Sequence, residues 1–322
     1  MFILLYSVRI EYMDKDKKTL VIIDGNAIVH RAYHALPPLR TKKGELVNAV
    51  YGFLLALFKA IKDFEPDYIV ATFDLPGKTF RHQKYKLYKA NRVKAPDELY
   101  AQIPKIKEVL NGFGIKIFEK KGFEADDLIG TIAKTIPKKQ IYPPMEVIIL
   151  TGDMDVLQLV DKNIKVSALR KGIKDTVIYD EEAVKEKYDG LTPEQLIDYK
   201  GLRGDPSDNI PGVIGIGEKT AIALIKEFGS MDNIYEGISK NTRGIKEKIK
   251  EKLVNQKDQA LVSRMLGKIN DEVPLDFNLG KCAWKGYNKD KVNKILEDYG
   301  FKSLVKRLFE PVKVERKTQN LL

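Results

Sequence analysis

Three short apolar runs in the first half of the chain each lead into an aspartate. Residues 20–23 lead into Asp24, residues 68–73 into Asp74, and residues 146–150 through Thr151 and Gly152 into Asp153. Continuous apolar runs of this length, closed by a loop signal, mark strands buried on both faces. Segments at 46–64, 97–113 and 125–136 carry apolar residues at helical spacing, and further short strands are predicted at 115–118 and 164–168. Strands alternating with helices predict an α/β fold on a mostly parallel sheet flanked by helices. In such an open sheet the functional crevice lies beyond the carboxyl ends of the strands. Asp24, Asp74 and Asp153 are therefore expected to meet in one place, each presented by rigid scaffold.

From about residue 180 the pattern turns helical, with helices predicted at 193–200, 218–228, 233–238, 244–255 and 259–269. The expected organisation is a core over 18–180 and a helical part over 181–311. Residues 1–17 read as an N-terminal extension without stable structure, with Met13 as an alternative start, and 312–322 as a frayed tail.

More acids lie close by. Glu124, Asp126 and Asp127 stand at the start of a predicted helix, Asp155 follows Asp153 by two, and Asp205 and Asp208 fall in GDPSDN at 204–209. Taken singly, each has an ordinary explanation. Acids at a helix start cap it or answer its dipole, and Asp before Pro or Asn is common turn chemistry. Gathered together, these carboxylates repel one another unless cations neutralise them. The chain has one cysteine, Cys282, and three histidines, His30, His34 and His82. A zinc site built on Cys and His is therefore nearly excluded, and the metal must be held mainly by oxygen, the preference of Mg²⁺. Two Mg²⁺ ions, with Mn²⁺ as a substitute, are expected, because such a pair suits phosphodiester hydrolysis.

The formal net charge of +11 biases the chain toward polyanionic partners. A lone cysteine leaves no disulfide and fits a reducing cytoplasm. The initial MFILLYSV is too short to span a bilayer and lacks the flanks of a signal peptide, so no membrane association is expected. Cytoplasmic, nucleoid-associated location and a monomeric state are the corresponding expectations. Residues 78–94, KTFRHQKYKLYKANRVK, are dense in Lys and Arg with Tyr85 and Tyr88 interleaved. Such cations meet phosphates while aromatic faces stack on bases. The plainer alternative is a solvated basic helix with its tyrosines packed inward.

Six separated motifs occur in order: VIIDGN (21–26), HRAYHAL (30–36), FRHQKYKLYKANR (80–92), FEADD (123–127), TGDMD (151–155) and GLRGDPSDNIPGVIGIGEKTA (201–221). Over roughly residues 18–310 the chain resembles the 5′-nuclease (5′-3′ exonuclease) domain of bacterial DNA polymerase I, in the flap endonuclease superfamily. The resemblance implies a PIN-like core, a helical arch at about 78–95 and two metal positions. One group of ligands would be Asp24, Asp74, Glu124 and Asp126, with Asp127 adjacent. The other would be Asp153, Asp155, Asp205 and Asp208. Lys89 and Arg92 match the family's basic pair on the arch, expected to hold the scissile phosphate and stabilise charge in the transition state. Tyr88 is expected to stack on a base, with Arg81 and Lys86 as phosphate contacts at the entrance.

GVIGIGEKTA at 212–221, within about 196–230, resembles a helix-hairpin-helix element. Gly212, Gly215 and Gly217 would let the backbone approach phosphate, and N–H groups at the next helix start would bind it without reading bases. Lys219 and Thr220 add contacts, and the family often places K⁺ in this hairpin. A nucleotide-binding loop is excluded because Glu218 separates Gly217 from Lys219.

The implied function is a structure-selective 5′-3′ exonuclease and 5′ flap endonuclease of replication and repair. Its substrates would be DNA with 5′ flaps, nicks or junctions, and RNA primers in RNA–DNA hybrids, with a DNA polymerase in cis or in trans. The competing readings are a junction-binding protein of the same fold without catalysis and a PIN-type ribonuclease.

Overall fold

The structure, a computed structural model, describes residues 17–138, 144–240 and 244–309. The tail expected at 312–322, and all of the expected extension except Lys17, lie outside these residues. Six strands form one sheet: β1 (Lys18–Asp24), β2 (Tyr68–Thr72), β3 (Lys116–Phe118), β4 (Met145–Thr151), β5 (Ile164–Leu169) and β6 (Thr176–Tyr179). Their order is β3-β2-β1-β4-β5-β6, and every pair is parallel except β5–β6. Chain order reverses between β1 and β4, which makes that crevice the topological switch point of the sheet.

The helices along the chain are α1 (Gly25–Ala35), α2 (Asn48–Phe64), α3 (Phe80–Lys84), α4 (Asp97–Tyr100), α5 (Ile103–Gly112), α6 (Ala125–Lys138) and α7 (Glu181–Lys187). They continue with α8 (Gln195–Arg203), α9 (Glu218–Phe228), α10 (Met231–Ser239), α11 (Glu247–Asn255), α12 (Lys257–Gly267), α13 (Lys289–Asp298) and α14 (Lys302–Phe309). Two cores lie on opposite faces of the sheet. Leu20, Ile22, Val147 and Ile149 face α6 and helices α7 to α12, while Val21, Ile23, Ile148 and Leu150 face α1, α2, α4 and α5. The period-two alternation of the strands is thus hidden in sequence, because both faces are apolar.

The segment expected as one helix over 97–113 is two, α4 and α5, because Pro104 in the first turn of α5 has no N–H to continue the bonding. Elements without a sequence expectation include helices α7, α13 and α14, the antiparallel edge strand β6 and helix α1. The last of these starts directly on β1, with the Asp24 carboxylate accepting from the Ala27 N–H at 3.0 Å. The helical second half does not stay on one side of the sheet. The Trp284 N–H donates to the Asp67 carbonyl at 2.7 Å, and Val292, Leu296 and Leu304 pack into the α2–α5 core. Among the described residues no helix is long and apolar enough to cross a membrane.

The registers Asp24↔Thr72 and Ile23↔Leu150 bring the ends of β1, β2 and β4 level. Phe73, buried just after β2, then packs against Gly25. Its ring stacks on Phe53 at 6.4 Å, and a Cβ on Gly25 would lie 2.4 Å from it. Gly25→Ala is therefore expected to lower stability by about 1–3 kcal/mol through overpacking. Urea unfolding would show a lower midpoint with unchanged slope.

Candidate active site

A cavity of about 640 Å³ opens beyond the strand ends, and Asp24, Asp74, Glu124, Asp126, Asp153, Asp155 and Asp208 line it. Each acid is fixed by local backbone. Asp24 closes β1 and accepts from the Thr151 hydroxyl at 2.6 Å. Asp74 follows β2; its N–H donates to the Asn26 side chain at 2.9 Å, and its carboxylate accepts from the Ala125 N–H at 2.7 Å. The Asp153 N–H donates to Thr151 Oγ1, and the Asp155 N–H to Asp153 Oδ1, both at 2.9 Å. These bonds aim the side chains inward before any cation is considered.

Asp205 and Asp208 come from the distant loop after α8. Gly204 (φ 77°) and Gly212 (φ 64°) cross there so closely that a Cβ on Gly212 would lie 2.3 Å from the Gly204 nitrogen. Asp205 and Ile210 exchange two backbone bonds of 2.8 Å across the loop, which holds it against the core. Carboxylate oxygens of Asp155, Asp205 and Asp208 lie within 4.8 Å of one another.

The electrostatics divide the acids. Burial pushes Asp24 up to about 7, with Asp153 and Asp74 adding to the rise against the Thr151 hydrogen bond. Burial, then Asp153 and Asp24, hold Asp126 well above the ordinary carboxylate range. Burial raises Asp74 too, although its outer side meets solvent. Burial carries Asp155 to about 6, despite an ion pair with Lys200. The same Lys200 ammonium lies 2.9 Å from Asp205 and, outweighing burial, holds it at about 2. Glu124 is lowered because Lys89 and Arg81 outweigh its burial. The donors are all carboxylates, several raised above the ordinary carboxylate range by burial and by one another. Such a set fits hard divalent cations that take oxygen ligands.

Segment 78–95, expected as a helical arch, contains α3 and then a series of turns lying over the cavity. It is stitched to the Asp205–Asp208 loop. The Lys89 N–H donates to the Asp208 carbonyl at 2.9 Å, and the Asn91 side chain to the Pro206 carbonyl at 2.7 Å. The Asn209 side chain donates to the Leu87 carbonyl at 2.7 Å. Lys89, at a left-handed φ of 56°, places its ammonium 2.8 Å from Glu124, and Arg92 pairs with Asp208. Lys86 is exposed on the outer side of this segment.

Four expected roles differ from the structure. Tyr88 is buried, its hydroxyl 3.1 Å from Glu124 and 3.2 Å from Asp208, so its ring face is not open to a base. Arg81 is enclosed and forms a two-pronged pair with Asp127 at 2.8 Å on each arm, leaving it no phosphate to meet at the entrance. Asp127 also accepts from the N–H groups of Glu124 and Asn270, so its oxygens are fully engaged away from the cavity. Gly212 is enclosed, its N–H on the Ser263 hydroxyl and its carbonyl on Gln259, and it pinches the loop instead of approaching phosphate. Gly215, Gly217 and Lys219 are exposed in the hairpin before and at the start of α9, with Thr220 half-buried behind them. Sequence reasoning passed over Lys200, Thr151, Asn91 and Asn209. Thr151, Asn91 and Asn209 stood inside quoted motifs, whereas Lys200 carried no signal beyond its place at the end of a predicted helix.

Residues 19–189 match the family described as 5′-3′ exonuclease, N-terminal resolvase-like domain, and residues 191–290 match 5′-3′ exonuclease, C-terminal SAM fold. The chain belongs to the 5′-3′ exonuclease family. Among curated relatives, DNA polymerase I of Bacillus subtilis (strain 168) is 44% identical over 306 residues, covering 95% of this chain and 34% of that protein. DNA polymerase I of Bacillus caldotenax is 41% identical over 301 residues, covering 94% and 33%. The chain thus spans about a third of the length of these relatives. The T5 5′-exonuclease with divalent zinc ions bound has the same fold, with a TM-score of 0.64, 21% identity, and coverage of 88% of this chain and 98% of that one. So does the catalytic core of Rad2 in complex with a DNA substrate, with a TM-score of 0.58, 18% identity, and coverage of 92% and 93%.

In this exonuclease fold the Arg81–Asp127 pair ties α3 to α6 beneath the acids. Arg81→Met leaves the buried Asp127 carboxylate without its cation, and is expected to cost about 3–5 kcal/mol. Denaturant unfolding checks the loss, and Arg81→Met with Asp127→Leu is expected to recover part of it, because backbone partners of both side chains stay unpaired.

Proposed function

We propose that the chain is a Mg²⁺-dependent, structure-selective 5′-3′ exonuclease and 5′ flap endonuclease that hydrolyses phosphodiesters. The observation that carries this reading is the gathering of acids from β1, β2, α6, β4 and the Asp205–Asp208 loop beneath the cations Lys89 and Arg92. Asp24, Asp74, Glu124 and Asp126 would hold one Mg²⁺, and Asp153, Asp155, Asp205 and Asp208 the other. When bound, the ions supply the positive charge that activates a water and steadies the leaving oxygen. Mn²⁺ is the proposed substitute, and K⁺ is proposed for the hairpin.

The protein's own groups do the rest. Lys89 and Arg92 exchange their present carboxylate partners for the scissile phosphate and neutralise the charge that grows on it. Tyr88, beneath them, orients Glu124 and Asp208 through its hydroxyl. The exposed hairpin ahead of α9 presents Gly215, Gly217, Lys219 and Thr220 to the duplex backbone without reading sequence. Strands bearing a free 5′ end are the proposed substrates, in flaps, nicks and junctions of DNA and in RNA–DNA hybrids. A DNA polymerase in cis or in trans is the proposed partner, and the protein acts as a nucleoid-associated monomer.

A duplex with a 5′ single-stranded flap, incubated with Mg²⁺, is expected to be cut near the flap base and spared when EDTA is added. A blunt duplex and a 3′ flap serve as controls. Binding without cleavage in both Mg²⁺ and Mn²⁺ would sink the enzymatic reading. Asp126→Asn is expected to abolish cutting while flap DNA still binds in a gel-shift assay. Lys219→Ala is expected to lower the slope of log K against log salt by about 0.9, the loss of one phosphate contact.

A further inference from the structure

A second cleft, of about 340 Å³, adjoins the acidic cavity where Met154 and Asp155 line both. Its acidic end shares Asp155 and Asp205 with the proposed ligand set, and no role proposed above uses the rest of it. Its walls include Lys187 and Tyr188 at the end of α7, Tyr199 and Arg203 on α8, and Glu218 at the start of α9. The cleft therefore runs from the acids to the helix that follows the glycine hairpin.

Its cations divide into two kinds. Lys200 is committed to Asp155 and Asp205. Lys187 and Arg203 are exposed and make no ion pair among the described residues. Each is held over tyrosine instead. The Lys187 ammonium lies 5.7 Å from the Tyr188 ring centre, and the Arg203 guanidinium lies 5.7 Å from that of Tyr199. A cation over an aromatic face keeps its charge and its N–H donors available while losing rotational freedom. The tyrosines meet edge to face at 5.8 Å and form the floor between the two cations. Of the acids here, Asp155 and Asp205 already have Lys200, and Glu218 lies beside the Tyr199 hydroxyl.

We infer that this cleft seats the phosphodiester backbone of the duplex between the cut site and the hairpin, with Lys187 and Arg203 each pairing a phosphate. The inference rests on the nuclease reading. A backbone engaged at once by the acidic cavity and by the hairpin must cross the ground between them, and the cleft is that ground. Two unpaired cations on a tyrosine floor suit phosphates and sugars and carry no means of reading bases.

The test places Lys187→Gln and Arg203→Gln together in the Asp126→Asn background, with Mg²⁺ present and folding checked by circular dichroism. Binding is measured to 5′-flap DNA and to single-stranded DNA of the same length. Flap affinity is expected to fall about tenfold, and the slope of log K against log salt by about 1.8, the value for two phosphates. Single-strand affinity is expected to move less than about twofold, since the proposal gives the cleft to the duplex arm. In the active protein the same pair is expected to raise KM more than it lowers kcat. Unchanged flap affinity and slope would overturn the inference, as would an equal loss on single-stranded DNA. Competition by a nucleoside 5′-monophosphate that the double variant abolishes, with flap affinity intact, would assign the cleft to free nucleotide and also overturn it. Failure of the unaltered protein to cut flap DNA overturns the nuclease reading itself, so the two failures are distinguishable.

Discussion

The whole arrangement depends on carboxylates being crowded together at the carboxyl edge of a parallel sheet. Burying an acid is unfavourable, and burying several side by side is worse, because each raises the others. The fold meets that cost with rigid donors. Thr151 and the Ala27 N–H hold Asp24, the Ala125 N–H holds Asp74, and the Thr151 hydroxyl turns the backbone at Asp153. What those donors leave unanswered is charge, and the remaining demand is for cations.

Among the cations that partly answer it, three link segments far apart in sequence. Lys200 joins the 3₁₀ turn at Asp155 to the loop at Asp205. Lys89 joins the segment over the cavity to Glu124 on the approach to α6, and Arg92 joins that segment to Asp208. Asp208 thus stands at the meeting of the covering segment and the loop that leads to the hairpin. Backbone contacts through Asn91, Asn209 and Lys89 reinforce that seam. Any change in the charge of the acids is felt at once by the segment that covers them.

Arg81 and Asp127 show how closely structural and chemical acids are interleaved. Asp126 and Asp127 are neighbours on one helix, yet Asp126 faces the cavity and Asp127 faces Arg81 and the Asn270 N–H. Successive residues on a helix point about 100° apart, so one acid is set to chemistry and the next to a buried ion pair. The same economy appears in the hairpin, where Gly212 locks the loop and Gly215 and Gly217 are left to solvent.

Much of this was legible in the chain before any coordinates. Apolar runs ending in Asp24, Asp74 and Asp153 determined a parallel sheet with acids at one edge, since short buried strands and their loop signals are local properties. The six motifs determined the family, because their order and spacing are read directly. The tertiary structure alone decided which members of each motif face the cavity. Tyr88, Arg81 and Asp127 look like site residues in sequence, but packing against Glu124, Leu266 and Asn270 turns them inward. Lys200 and the tyrosine-floored cleft were invisible for the complementary reason. Their partners lie in other elements, and a side chain's neighbours across tens of residues are settled only when the helices dock.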